Sequence, residues 1–135
     1  MTDVGAPNQV YVFDITCPAG TAIDAPLETD TSFPTGFVTT VDIVIPDGHS
    51  GLTGIYLATS RGRAIPINEG SWLSGNNEKL TYNVADFLDS GFWQAYTYNL
   101  DAFDHGWQVR FLVYSTLKAA STSDTTTLAE TPLLV

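Results

Sequence analysis

Basic residues are scarce: five Lys and Arg stand against fifteen Asp and Glu, giving a formal charge of −10. Phosphate contacts need clustered cations. Arg61, Arg63, Lys79, Arg110 and Lys118 are scattered, apart from the first two, which share one turn. No direct nucleic-acid contact is expected. Cysteine is nearly absent too. Cys17 stands alone, so no internal disulfide can form and the fold must hold by packing. Cys17 continues an apolar strand pattern and reads as a small core residue rather than a reactive thiol. No apolar run approaches the roughly 20 residues of a helical membrane span. The opening MTDVGAPNQV has neither the basic start nor the apolar stretch of a secretory leader. Neither a membrane nor an export signal is expected.

Charged residues are only 15% of the chain while 44% is hydrophobic, so the hydrogen-bonding surface must come mainly from Thr, Ser, Asn and Gln. Scarce Lys with abundant Asp and Thr fits either a protein working at high salt or an ordinary acidic surface, and the second is the simpler reading. A length of 135 residues suits one domain with a real core.

Sustained helical periodicity is also missing; period-two alternation in short runs dominates. Tyr11, Phe13, Ile15 and Cys17 share one face of a strand over 10–17, with Val10 and Val12 opposite. A weak edge strand is expected over 21–27, then a loop over 28–36. Strong strands follow over 37–45 (Phe37, Val41, Ile43 and Ile45 inward), 52–59, 63–68, 79–84, 92–100 and 107–114, and a helical turn over 85–90. Turn signals separate them at Pro18–Gly20, Pro46–Gly51, Ser60–Gly62 and Ser74–Asn77. About eight short strands without a disulfide predict an all-β, antiparallel β-sandwich of jelly-roll type, with an immunoglobulin-like sandwich as the alternative. Composition changes after Tyr114, where KAASTSDTTTLAETP over 118–132 is low-complexity and polar. The expected organisation is an N-terminal arm over 1–9, a sandwich over 10–117 and a C-terminal arm over 118–135, the arms reaching neighbouring subunits.

Signatures of catalysis are missing. There is no GxSxG elbow, HExxH, EF-hand loop, phosphate-binding GxxxxGK[ST] or strand-borne GxGxxG. His49 in DGHSG is expected to be an exposed turn residue. Asp101, Asp104 and His105 could ligate a metal, but Asp also caps tight turns, and that reading is preferred. Asp86 and Asp89 read likewise as caps of a helical turn. No catalytic residue, metal or cofactor is assigned. The aromatic residues Trp72, Trp93, Tyr96, Tyr98, Phe103 and Trp107 are the candidates for contact with a partner or a ligand, either as a subunit interface or as a stacking platform for sugar rings. In 107–114, Trp107, Val109, Phe111 and Val113 form one face. In 92–100, Tyr96 and Tyr98 lie opposite Trp93 and Ala95. One aromatic face therefore fills the core, and the other is expected to be covered by a neighbour.

Three stretches carry a resemblance: CPAGTAIDAPLETDTSFPTGFVTTVDIVIPDGHSGLTGIYLA, SWLSGNNEKLTYN and SGFWQAYTYNLDAFDHGWQVRFLVY. Over about Cys17 to Tyr114 the chain resembles small β proteins encoded by tailed double-stranded DNA viruses, with PAGT at 18–21, IPDGHSG at 45–51 and the WQ-to-VRF hairpin as the most recognisable parts. The resemblance implies a non-enzymatic accessory component of the virion, of capsid-decoration or tail-associated type. It implies as partners the major capsid protein or another virion protein and further copies of this chain, and it transfers no site residues. The alternative is a carbohydrate- or receptor-binding sandwich on a virion or cell surface, with a glycan as its ligand.

Overall fold

The computed structural model describes residues 9–34, 36–86 and 92–114. Eight strands account for most of them: β1 (Gln9–Cys17), β2 (Leu27–Asp30), β3 (Phe37–Ile45), β4 (Thr53–Thr59), β5 (Gly62–Ile65), β6 (Glu78–Asp86), β7 (Trp93–Asn99) and β8 (His105–Tyr114). They form two four-stranded sheets of order β1-β8-β3-β6 and β2-β7-β4-β5. All pairings are antiparallel. The pairs nest: first strand with eighth, second with seventh, third with sixth, fourth with fifth. This is the jelly roll, a long double strand folded over into two sheets. It settles the choice against the immunoglobulin-like alternative.

Alternation decides which side of each sheet is dry. One inward row crosses the first sheet from Phe13 through Val109 and Ile43 to Leu80, each directly opposite the next. The second sheet faces it with Trp93 and Ala95 of β7, Ile55 and Leu57 of β4 and Ile65 of β5, all buried. Phe111 sits at the centre. Its ring meets Trp93 at 5.2 Å, Phe33 at 5.2 Å and Phe13 edge-on at 5.8 Å. Phe33, from the loop after β2, closes this region and stacks on Tyr11 at 5.0 Å. Cys17 is fully buried, as its place in the alternation implies.

Several elements depart from expectation, each for a local reason. Of the weak strand expected over 21–27, only the bridge between Thr21 and Asn99 and the final Leu27 remain; Leu27 opens the short edge strand β2, whose other residues lie where a loop was expected. In β3 a bulge between Val38 and Thr40 inserts one residue. That flips the parity, so Val38 rather than Phe37 is buried alongside Val41, Ile43 and Ile45. β5 stops at Ile65 because Pro66 has no N–H for the ladder. Strand β6 runs on to Asp86, so Ala85 and Asp86 are strand rather than helical turn. The rest of that turn, with Asp89, lies outside the described residues, as do both arms apart from Gln9, which belongs to β1.

The nested pairing has a geometric consequence. Four connections, residues 18–26, 46–52, 66–77 and 100–104, all cross between the sheets at the same end. Each joins strands of equal position in the two sheets, so their order across that end is β1–β2, β7–β8, β3–β4, β5–β6. Hydrogen bonds fasten neighbours in this order. Asn99 N–H donates to Thr21 O, and Ala19 N–H to Asp104 Oδ1, both at 2.9 Å. Leu100 N–H donates to Leu52 O, and Gly48 N–H to Asn76 Oδ1, again at 2.9 Å. The Asn99 side chain ties the first two loops together from below, donating to Cys17 O and Phe103 O.

Two buried polar atoms have no partner among the described residues, Thr97 Oγ1 and Trp107 Nε1. Thr97 faces the interior of β7 and is fully buried. A buried hydroxyl without a hydrogen bond costs about 1–3 kcal/mol, and Val matches Thr in shape. Thr97→Val is therefore expected to raise the unfolding free energy by about 1 kcal/mol in urea titration. A loss of stability would mean that the hydroxyl has a partner.

Candidate functional site

Two clusters concentrate the chemistry-bearing side chains: an aromatic layer outside the second sheet and a histidine pair beneath the loop end. The aromatic layer forms because β4 and β7 place Tyr56 directly opposite Tyr96, and Gly54 opposite Tyr98. Tyr56 and Tyr96 stack at 4.7 Å with planes 12° apart. Trp72, held beside β4 by the bridge between Leu73 and Ile55, packs edge-on against Tyr56 at 4.9 Å and Tyr98 at 4.8 Å. Arg63 lies over the Tyr56 ring at 3.8 Å and donates to Pro66 O and Ser71 O at 2.9 and 2.8 Å. Its guanidinium thus clamps the β5–β6 loop onto the sheet. Burial, with the Glu28 carboxylate and Tyr56 close by, pushes the Tyr96 hydroxyl above its ordinary pKa.

The structure scatters the predicted aromatic set. Trp72, Tyr96 and Tyr98 meet in this layer. Trp93 and Trp107 are each 2% exposed and belong to the core, out of reach of any partner. Phe103 stands apart in the β7–β8 loop, 72% exposed. The layer contains one residue not predicted, Tyr56. The cover expected from a neighbour is supplied for Tyr98 by the chain's own Trp72, which leaves Tyr98 buried. One face of the Tyr56 ring is turned to Tyr96 and the ring also lies under Arg63.

His49 overturns its expectation: it is buried, 1% exposed. Its Nε2 lies 2.9 Å from Gly106 O, which can only accept, so Nε2 carries the proton. Nδ1 then accepts from the Thr53 hydroxyl at 2.6 Å. The ring contacts Trp107 edge-on at 4.8 Å and the His105 ring at 4.6 Å. His105 Nε2 in turn lies 2.8 Å from Asp101 Oδ2. Asp101 also caps its own turn through Ala102 N–H, and these contacts hold its carboxyl below the ordinary pKa. Asp104 is engaged separately by Ala19 N–H. Among the described residues, no three His, Cys, Asp or Glu side chains converge in metal-binding geometry. Thr53 is as buried as His49, so this hydroxyl–imidazole pair has no room for a substrate.

The burial of His49 makes stability pH-dependent, and the sign follows from linkage. Burial lowers the His49 pKa from its ordinary 6.5, helped by nearby His105 and opposed by the Gly106 carbonyl. The unfolded chain therefore binds a proton at a pH where the folded chain does not. Stability is full above pH 6.5 and falls as pH drops towards the folded-state pKa. The groups facing His49 are His105 and, behind it, Asp101. Denaturation midpoints measured from pH 7.5 to 5.5 are expected to fall in the wild type and to change much less in His49→Gln. Equal slopes would contradict this assignment.

No protein-family model matches this chain, and no curated protein sequence does. Similarity to solved structures is found. A chain of the tomato aspermy virus structure is 15% identical with a TM-score of 0.52, covering 91% of this chain and 85% of that one. A chain of the cyanophage Pam1 capsid asymmetric unit is 11% identical with a TM-score of 0.52, covering 84% of this chain and 89% of that one. The likeness is one of fold. Each match spans most of both chains, so the whole jelly roll is shared rather than a fragment of it.

Proposed function

We propose that this chain is a structural accessory protein of a tailed virus particle, of decoration type, bound to the capsid shell and acting without turnover. The observation that carries the reading is the jelly roll shared over most of both chains with a component of a phage capsid asymmetric unit. The two chains are also of similar length, which fits a single-domain component. The histidine cluster supports a non-catalytic role. His49 and Thr53 are sealed in the interior, and Asp101 and His105 hold a turn. An acidic surface keeps such a particle soluble. Function then resides in surfaces repeated by symmetry, where weak contacts multiply.

Mass spectrometry of gradient-purified particles of the encoding virus tests the proposal. The protein should co-purify in fixed ratio to the major shell protein. Its absence from particles, with abundance in the lysate, would overturn the reading.

A further inference from the structure

Large apolar side chains are not exposed at random. Eight are exposed among the described residues, and five of them, Ile23, Leu52, Ile67, Leu100 and Phe103, stand on the four loops of one end. Each loop contributes at least one. Hydrogen bonds join each loop to the next, and Leu100 and Leu52 are linked through their backbones, so these residues belong to one end of the sandwich. None of the five is needed to fill the interior, which Trp107, Asn99, Thr53 and His49 close below them. Exposed apolar residues gathered this way mark an interaction surface.

Charge identifies the occupant. The same four loops carry Asp24, Asp47, Glu69, Asp101 and Asp104 and no Lys or Arg. Arg63, beside the 66–77 loop, has its guanidinium engaged by loop carbonyls and the Tyr56 ring. Two copies meeting through this end would set carboxylates against carboxylates. The remaining described cations fit no better as a docking face on a second copy. Arg61 sits on the hairpin at the opposite end. Lys79, next to Glu78 in β6, alternates with the inward Leu80 and so lies on the outer face of the first sheet. Arg110 shares its row with Asp42, on the same outer face as Asp14.

We infer that the loop end is the surface that seats this protein on its partner, and that the partner presents an apolar patch edged by Lys and Arg. This rests on the virion reading and deepens it: the partner is another protein of the shell. Apolar contact supplies most of the affinity, and the carboxylates set orientation and rate.

Binding of purified full-length protein to particles stripped of it tests this. Phe103→Asp with Leu100→Asp should weaken binding by about tenfold or more, with circular dichroism and melting temperature unchanged because both side chains are exposed. Asp24→Lys should weaken it less, and added salt should weaken the wild type. Val12→Asp, on the outer face of the first sheet, should bind as wild type. If the wild type does not bind stripped particles, the virion reading fails. If it binds and the double variant binds equally, or Val12→Asp is the variant that loses binding, the loop-end inference is overturned. It is also overturned if the double variant instead dissociates an oligomer of the free protein, which would make this end a contact between copies.

Discussion

Phe111→Ala should lower the unfolding free energy by about 3–5 kcal/mol, a loss at the upper end for a core truncation. Phe111 is fully buried and touches three other aromatic rings that come from β1, β7 and the loop before β3. Removing the ring leaves a cavity that neighbours on two rigid sheets cannot close. A domain of this kind has about 5–15 kcal/mol in total, so the variant should be partly unfolded at 37 °C. Urea titration followed by tryptophan fluorescence reads the loss directly, since Trp93 is in contact with the deleted ring. A loss below about 1.5 kcal/mol would mean that the two sheets can move together, contrary to the rigid packing expected of such interiors.

The second large effect comes from adding one methyl group. Tyr98 lies flat across β4 because Gly54 opposite it has no side chain. A Cβ there would stand 2.2 Å from Tyr98 Cε2 and 2.8 Å from its Cζ. The ring cannot tilt freely because Trp72 packs against it. Gly54→Ala should therefore cost about 1–3 kcal/mol and loosen the aromatic layer as a unit. A double-mutant cycle separates this from a general effect of alanine in a strand. With Tyr98→Ala already present, Gly54→Ala should cost little. Equal costs in both backgrounds would place the strain elsewhere.

These two sites differ in how far the sequence reveals them. Phe111 belongs to a run, Trp107 to Val113, whose alternation alone shows which side is buried. The same holds for β1, where Val10 and Val12 point outward. Strand β2 was illegible because its four residues, LETD, show little apolar contrast, and its partners on β7 lie far along the chain. The bulge in β3 was equally hidden, since alternation cannot announce the residue at which it breaks. Tyr56 could have been found. It is the outward residue of an otherwise buried strand, and Gly54 two positions earlier signals that a ring from the next strand needs room. His49 offers no such signal. Its burial depends on Gly106, 57 residues away, and on a loop order that only the nested topology creates. The loop end is hidden for the same reason. Ile23, Leu52, Ile67, Leu100 and Phe103 look like isolated surface residues until the jelly roll brings their loops together.

The fold and the proposed role meet in this asymmetry. One end of the sandwich presents apolar residues among carboxylates, while the core, the aromatic layer and the histidine cluster hold the loops beneath it in place. Electron cryomicroscopy of the intact particle tests the account most directly. It predicts density for this jelly roll on the shell, with the loops carrying Leu52, Leu100 and Phe103 turned towards the shell surface. Particles whose density contains no such domain would contradict it.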